Sequence, residues 1–257
     1  MAAANRRFDA IDALRGAAML WMTAYHFAFD LNHFGHIRQN FYEDPLWTWQ
    51  RTGIVSLFLL CAGMGQAVAV QRGQGWPRFW RRWAQVAGCA ALVSLGSWWM
   101  FPHSWISFGV LHGMAVMLLV TRWLLGQPWW RGAVPWLLGA ALVAAGPVLS
   151  ALLARHGSPA LVALLESRWL NLLGIVTQKP PTEDWVPLLP WLGVMLWGAG
   201  LVPWLLARRP CWLQRAPGAG QRALAVLGRW SLSYYMLHQP VLIGLLMGWR
   251  ALAAPGA

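Results

Sequence analysis

Charge is what this chain has least of. Only 11% of its residues are charged, and just eight of the 257 are acidic. A soluble globule carries roughly 25% charged residues and uses them to cover its surface. Here 58% of the residues are hydrophobic and the mean hydropathy is +0.44. Such a chain cannot cover itself with polar groups, so a soluble domain is excluded and the lipid bilayer becomes its expected solvent. Cysteine is scarce as well. Cys61, Cys89 and Cys211 are odd in number and lack metal-ligand spacing, so neither a disulfide framework nor a zinc site is expected. No metal is expected at all. Lysine is nearly absent: Lys179 stands alone among 20 basic residues. In a soluble protein the net charge of +12 would suggest nucleic acid. Here the arginines sit in short segments flanking apolar runs and form no separate basic stripe, so nucleic acid is excluded as a partner.

Arg6 and Arg7 precede an apolar stretch and superficially resemble a secretory or twin-arginine signal. The stretch runs on through His26 and Asp30 without a small-residue cleavage site, so an uncleaved first helix is expected. A membrane span needs about 20 mostly apolar residues. Seven segments qualify: Ile11–Leu31, Ile54–Val70, Ala84–Phe101, Ile106–Leu125, Ala133–Leu153, Val186–Leu206 and Leu224–Trp249. Leu161–Val176 is apolar too, but Glu166, Arg168 and Asn171 interrupt it, and it reads as an interfacial helix in a long loop. The fold class is therefore all-α, a polytopic membrane helix bundle of about seven transmembrane helices, forming one domain over residues 1–257.

The arginines orient that bundle. With the N-terminus inside, the inner segments hold Arg6, Arg7, Arg72, Arg78, Arg81, Arg82, Arg122, Arg131, Arg208, Arg209, Arg215 and Arg222. The outer ones hold Arg38, Arg51, Arg155, Arg168, Lys179 and Arg250, so the count is twelve against six. An excess of Lys and Arg marks the cytoplasmic side, so the N-terminus is expected inside and the C-terminus outside. Many of the 21 tryptophans fall at span ends, among them Trp76, Trp80, Trp98, Trp99, Trp129 and Trp212, which suits a headgroup-level anchoring belt. No internal repeat is evident. The glycine patterns near Gly63 and Gly218 lack the strand–turn–helix setting of a phosphate loop.

Ionisable groups within a span are costly, at least about 2.5 kcal/mol for a central charge, and mark function by default. The first span holds Asp12, Arg15, His26 and Asp30. At about 100° per residue the eleven steps from Arg15 to His26 come to about three full turns, so the two share a face. Asp12 and Asp30 join the stripe at i−3 and i+4, and His33 extends it. The rise from Arg15 to His26 is about 16 Å, roughly half the hydrocarbon thickness. Arg15 then lies near the cytoplasmic boundary, with His26 and Asp30 in the outer half. His112 falls in the fourth span and His238 in the last, after Ser231, Tyr234 and Tyr235. Pro240 should kink that last helix. His33, His36, His103 and His156 fall toward the outer loops and are solvated by default. Each span histidine also has a bland reading, a side chain hydrogen-bonded between helices.

The segments IDALRGAAMLWMTAYHFAFDLNHFG, LFLLCAGMG, SFGVLHGMA, DWVPLLPWLGVMLWG and LGRWSLSYYMLHQPVL, in that order, resemble bacterial membrane proteins related to the heparan-alpha-glucosaminide N-acetyltransferase catalytic domain. The likeness covers nearly the whole chain and is weakest between Arg131 and Lys179. An Arg followed eleven residues later by His also resembles the hallmark of the acyltransferase-3 group of membrane O-acyltransferases. The resemblance implies an integral protein of the bacterial inner membrane. It would move an acyl group, expected to be acetyl, from acetyl-CoA as donor substrate to a sugar or glycoconjugate acceptor. Arg15 would contact the CoA phosphates; His26, Asp30 and His238 would be catalytic; and His112, His33 and Asp184 would bind the acceptor. His33 or His36 competes with His26 for the place of the base. Imidazole suits either proton abstraction or acyl capture at neutral pH, and Asp30, one turn on, would fix the His26 tautomer as a triad carboxylate does. Acyl-CoA, the acceptor and the lipid bilayer are the implied partners; homo-oligomer formation is left open. A proton-coupled transporter is the alternative, since His/Asp/Arg stripes also serve proton relays, though no inverted repeat supports it.

Overall fold

The structure, a computed structural model, describes residues 8–253. Arg6 and Arg7, which entered the orientation count, lie outside the described residues, as does the chain's C-terminal end. Among the described residues every regular element is helical. In chain order these are α1 (Asp9–His33), α2 (Pro45–Gln71), α3 (Trp76–Met100), α4 (Val110–Leu125), α5 (Val134–His156), α6 (Pro159–Leu165), a 3-10 turn (Asn171–Leu173), α7 (Leu188–Arg208), α8 (Pro210–Gln214), α9 (Ala219–Arg229) and α10 (Ser231–Ala253).

By length and composition α2, α5 and α7 can each cross a membrane, and α4 is a shorter apolar helix. The helices α1, α3 and α10 match them in length, at 25, 25 and 23 residues, and of these α1 and α3 are more polar. The Leu161–Val176 stretch forms no eighth spanning helix. Ser158 caps the seven residues of α6, which rise only about 10 Å against roughly 30 Å of hydrocarbon.

One expected element is corrected. Leu224–Trp249 is not a single span: the chain turns at Trp230, at φ −94° and ψ 14°, between α9 and α10. The apolar run hid this break because α9 is apolar on one face only, with Arg222 and Arg229 exposed on the other. Beyond it, α10 runs on through Pro240. His33 is the last residue of α1 and not part of the loop that follows.

The chain divides into two compact units. In the one comprising Leu59–Pro210, α3 packs on α4 and α5 on α7. The α5–α7 contact is backbone to backbone, since a Cβ added at Gly193 would lie 2.3 Å from the Gly139 carbonyl oxygen. The other unit contains the described residues up to Phe58 and from Cys211 on. Its core gathers Ala18, Met19, Met22 and Tyr25 of α1 with Phe41, Ile54 and Phe58. There α1 and α9 approach so closely that a Cβ at Gly16 would lie 2.0 Å from the Leu224 carbonyl oxygen.

Candidate active site

In the second unit, three polar rungs join α1 to α10. The Thr23 hydroxyl donates to the Met19 carbonyl at 2.8 Å, so the Tyr234 hydroxyl is the donor in its 2.6 Å bond to Thr23. His26 Nδ1 lies 2.7 Å from His238 Nε2. Gln239 Nε2 donates to Asp30 Oδ1, also at 2.7 Å. The rungs climb both helices in the same order, so α1 and α10 run parallel. Each rung satisfies polar atoms that the bilayer interior cannot.

The middle rung has a direction. His238 Nδ1 lies 2.7 Å from the Tyr235 carbonyl oxygen, which can only accept. With both rings neutral, His238 is protonated on Nδ1 and its bare Nε2 accepts from His26 Nδ1–H. That leaves His26 Nε2 as the unprotonated nitrogen of the pair. The two rings stack at 5.0 Å and 15°, and Tyr234 lies over His238 at 6.0 Å and 5°.

One sequence-based expectation is revised here. His26 bonds to His238 and not to Asp30, and Asp30 bonds to Gln239 instead. An i,i+4 spacing puts both side chains on one face but does not make them face each other, and α10 offers each a nearer partner. Asp30 is 3% exposed, and its Oδ2 and Gln239 Oε1 are buried without hydrogen-bond partners.

Arg15 sits toward the start of α1, three turns before His26. Its Nη1 bonds Asp12 Oδ1 at 3.1 Å. Arg229 joins this group, with Nη2 2.6 Å from Asp9 Oδ1 and Nε 3.7 Å from Asp12 Oδ2. Two guanidinium groups thus share two carboxylates. The i,i+3 pair was legible in the sequence, whereas Arg229, 220 residues from Asp9, was not. His33 is exposed at the end of α1, its ring edge-on to Phe34 at 5.5 Å.

His112 and Asp184 come together in the other unit, at the start of α4. His112 Nδ1 accepts from Gly109 N–H at 3.2 Å, so its Nε2–H donates to Ser94 Oγ at 3.0 Å. Asp184 Oδ2 accepts from Val110 N–H at 2.7 Å. Both side chains cap orphan backbone donors of α4, and His112 has both nitrogens engaged. The Asp184 cap was not readable from spacing, because Asp184 is 74 residues from the amide it caps, whereas His112 caps Gly109 only three residues away. Among the described residues no group of three or more His, Cys, Asp or Glu converges as a metal site would.

Residues 7–240 match the family described as heparan-alpha-glucosaminide N-acetyltransferase, catalytic. No curated protein matches the chain, and no solved structure does.

Proposed function

From the premise that this chain belongs to the heparan-alpha-glucosaminide N-acetyltransferase catalytic family, an integral membrane acetyltransferase family, we propose that it moves an acetyl group from acetyl-CoA to a sugar or glycoconjugate acceptor with His26 as general base. The observation that carries this reading is the 2.7 Å contact of His26 Nδ1 with His238 Nε2, with His238 Nδ1 in turn 2.7 Å from the Tyr235 carbonyl oxygen. In the proposed reaction His26 Nε2 takes the acceptor's proton as the acceptor attacks the thioester carbonyl. The carbon–sulfur bond breaks, and the imidazolium returns the proton to the departing thiolate. His238 is the positioning residue. It accepts from Nδ1–H of His26 and so keeps Nε2 bare, with the Tyr235 carbonyl holding His238 in turn.

Arg15 is proposed to bind CoA phosphate oxygens through its planar fork. His33, exposed at the end of α1, is proposed to meet the acceptor, with His112 and Asp184 in a supporting role that fixes the entry to α4. Asp30 is proposed to brace the α1–α10 seam through Gln239. We read residues 1–257 as one acyltransferase-like domain, because the family match spans segments of both compact units. The proposed setting is a bacterial inner membrane.

Purified protein given radiolabelled acetyl-CoA together with sugar and glycoconjugate acceptors should release free CoA thiol and label an acceptor faster than buffer does. Arg15→Lys should raise the KM for acetyl-CoA while kcat changes little, because Lys keeps the charge but loses bidentate geometry. An unchanged KM would remove Arg15 from the donor site and leave it as the Asp12 partner that holds the helix end. Absence of any thiol release would sink the acetyltransferase reading for this chain.

We also propose seven spans with the N-terminus inside. Two observations support it: the twelve-to-six bias in basic residues, and the parallel course of α1 and α10. Two parallel spanning helices at the two ends of a chain require an odd number of crossings. Reporter fusions after Arg209 should read as cytoplasmic, and fusions after Lys179 or at the C-terminus as external. A cytoplasmic C-terminus would refute the count.

A further inference from the structure

The start of α3 holds no acidic residue in its first turn and is rich in arginine. Gly75 precedes the helix with an extended backbone, at φ −68° and ψ 164°, and offers no side-chain cap. Arg78, Arg81 and Arg82 follow. The first N–H groups of a helix lack internal acceptors, and the helix dipole adds partial positive charge there. Alone, such an end is ordinary, but Arg122 makes this one different. Its side chain reaches over from the last turn of α4, is 7% exposed, and donates Nη2 to the carbonyl of Gln74, the residue before Gly75. Its guanidinium carbon lies 5.4 Å from the centre of the Trp76 ring and 5.6 Å from that of Phe79. Nη1 is buried with no hydrogen-bond partner. A buried guanidinium without a counter-anion is unfavourable, and the deficit is removed when an anion pairs with it.

We propose that Arg122 and the amino end of α3 together bind a phosphate group, supplied by an anionic lipid headgroup or by a soluble phosphate. The planar fork of Arg122 matches phosphate oxygens, and the first-turn N–H groups that remain on either side of Pro77, which has none, suit the same anion. Arg78 and Arg81, both exposed, add a field that concentrates anions there. The indole of Trp76, 47% exposed, covers the guanidinium and must swing aside to admit the ligand. Exposed Trp76, Trp80 and Trp123 suit the headgroup level, where lipid phosphate lies.

The test uses the full chain in detergent and follows its melting temperature with phosphatidylglycerol, with inorganic phosphate, or with phosphatidylcholine and chloride as controls. One of the two phosphate probes should raise melting by roughly 2–4 °C once it exceeds its Kd several-fold. A response to phosphatidylglycerol identifies a lipid as the source; a response to inorganic phosphate identifies a soluble ligand. Arg122→Gln should abolish the shift, but it also loses the bond to Gln74, so Gly75→Asp is the deciding variant. A Cβ at Gly75 meets only Pro77 Cδ, at an ordinary 3.5 Å, so Asp fits and places its own carboxylate at the site. Gly75→Asp should hold or raise the ligand-free melting temperature and lose the response to phosphate. A wild type that responds to neither probe would overturn the proposal, as would a full response surviving in Gly75→Asp.

Discussion

His26→Ala should lower acetyl transfer by about 100- to 10,000-fold, the usual cost of losing a positioned base. Stability should change far less. An interhelical hydrogen bond in a membrane protein contributes about 0.6 kcal/mol on average, so removing the 2.7 Å bond to His238 should move the melting temperature by only a few degrees. That contrast separates a base from a side chain that merely ties two helices together, because a tie would lose stability and activity in proportion. His238→Ala should cost less than His26→Ala, since Nε2 of His26 survives and only its tautomer is freed. His238→Gln should recover part of the loss, because its amide oxygen can accept from Nδ1–H of His26. Equal losses at both positions would mean that the two histidines act as one unit. Asp30→Asn should affect transfer only mildly, because the partner of Asp30 is Gln239. Full activity in His26→Ala, with loss in His33→Ala or His36→Ala, would move the base to the end of α1 or just past it and refute the assignment.

Gly228→Val should be the most damaging single change to stability. A Cβ at Gly228 would lie 1.8 Å from the Asp12 carbonyl oxygen and 3.0 Å from the Gly16 nitrogen. Both are backbone atoms, so no side chain can move away to make room. Overpacking a filled contact typically costs 1–3 kcal/mol, and this case belongs at about 3 kcal/mol or beyond. The melting temperature should fall by roughly 6–12 °C, with lower yield of monodisperse protein in detergent. Gly88→Ala is the matched control: no atom lies within 4 Å of a Cβ at Gly88, and Ala is favoured over Gly in a helix by about 1 kcal/mol. It should melt at or above the wild-type temperature. If Gly228→Val also melted like wild type, the α1–α9 contact would not be the close approach described. The same displacement should break the Arg229 bonds to Asp9 and Asp12, whose loss alone is minor because exposed ion pairs contribute about 0–1 kcal/mol.

The class of the protein, most of its helices and the identity of its unusual residues were readable in one dimension. Apolar runs long enough to span a bilayer located α4, α5 and α7 to within a few residues and found α2 without its first two turns (residues 45–53), because a helix that satisfies its own backbone needs only an apolar surface. His26 and His238 could be singled out as imidazoles in apolar runs, where their cost demands a reason. What lay beyond reach were relations between distant segments. His26 and His238 are separated by 212 residues. Spacing along α1 could bring Asp30 onto the face of His26, but only packing against α10 determined which group each would bond. Thr23 and Tyr234 drew no attention as a pair because hydroxyls in spans are common. Hydrophobicity alone made one span of Leu224–Trp249, since it does not record the backbone turn at Trp230 or the glycine contact that draws α9 onto α1. His112 and Asp184 read as ligand-binding groups, and their bonds to the start of α4 could not be seen from the sequence pattern. The sequence by itself determined the solvent, the helical class and which residues are too polar for their surroundings, because these follow from composition and local periodicity. Only the tertiary structure decided which of those residues meet, which group lies against Nδ1 of His26 and where two backbones touch, because each depends on the packing of helices far apart in the chain.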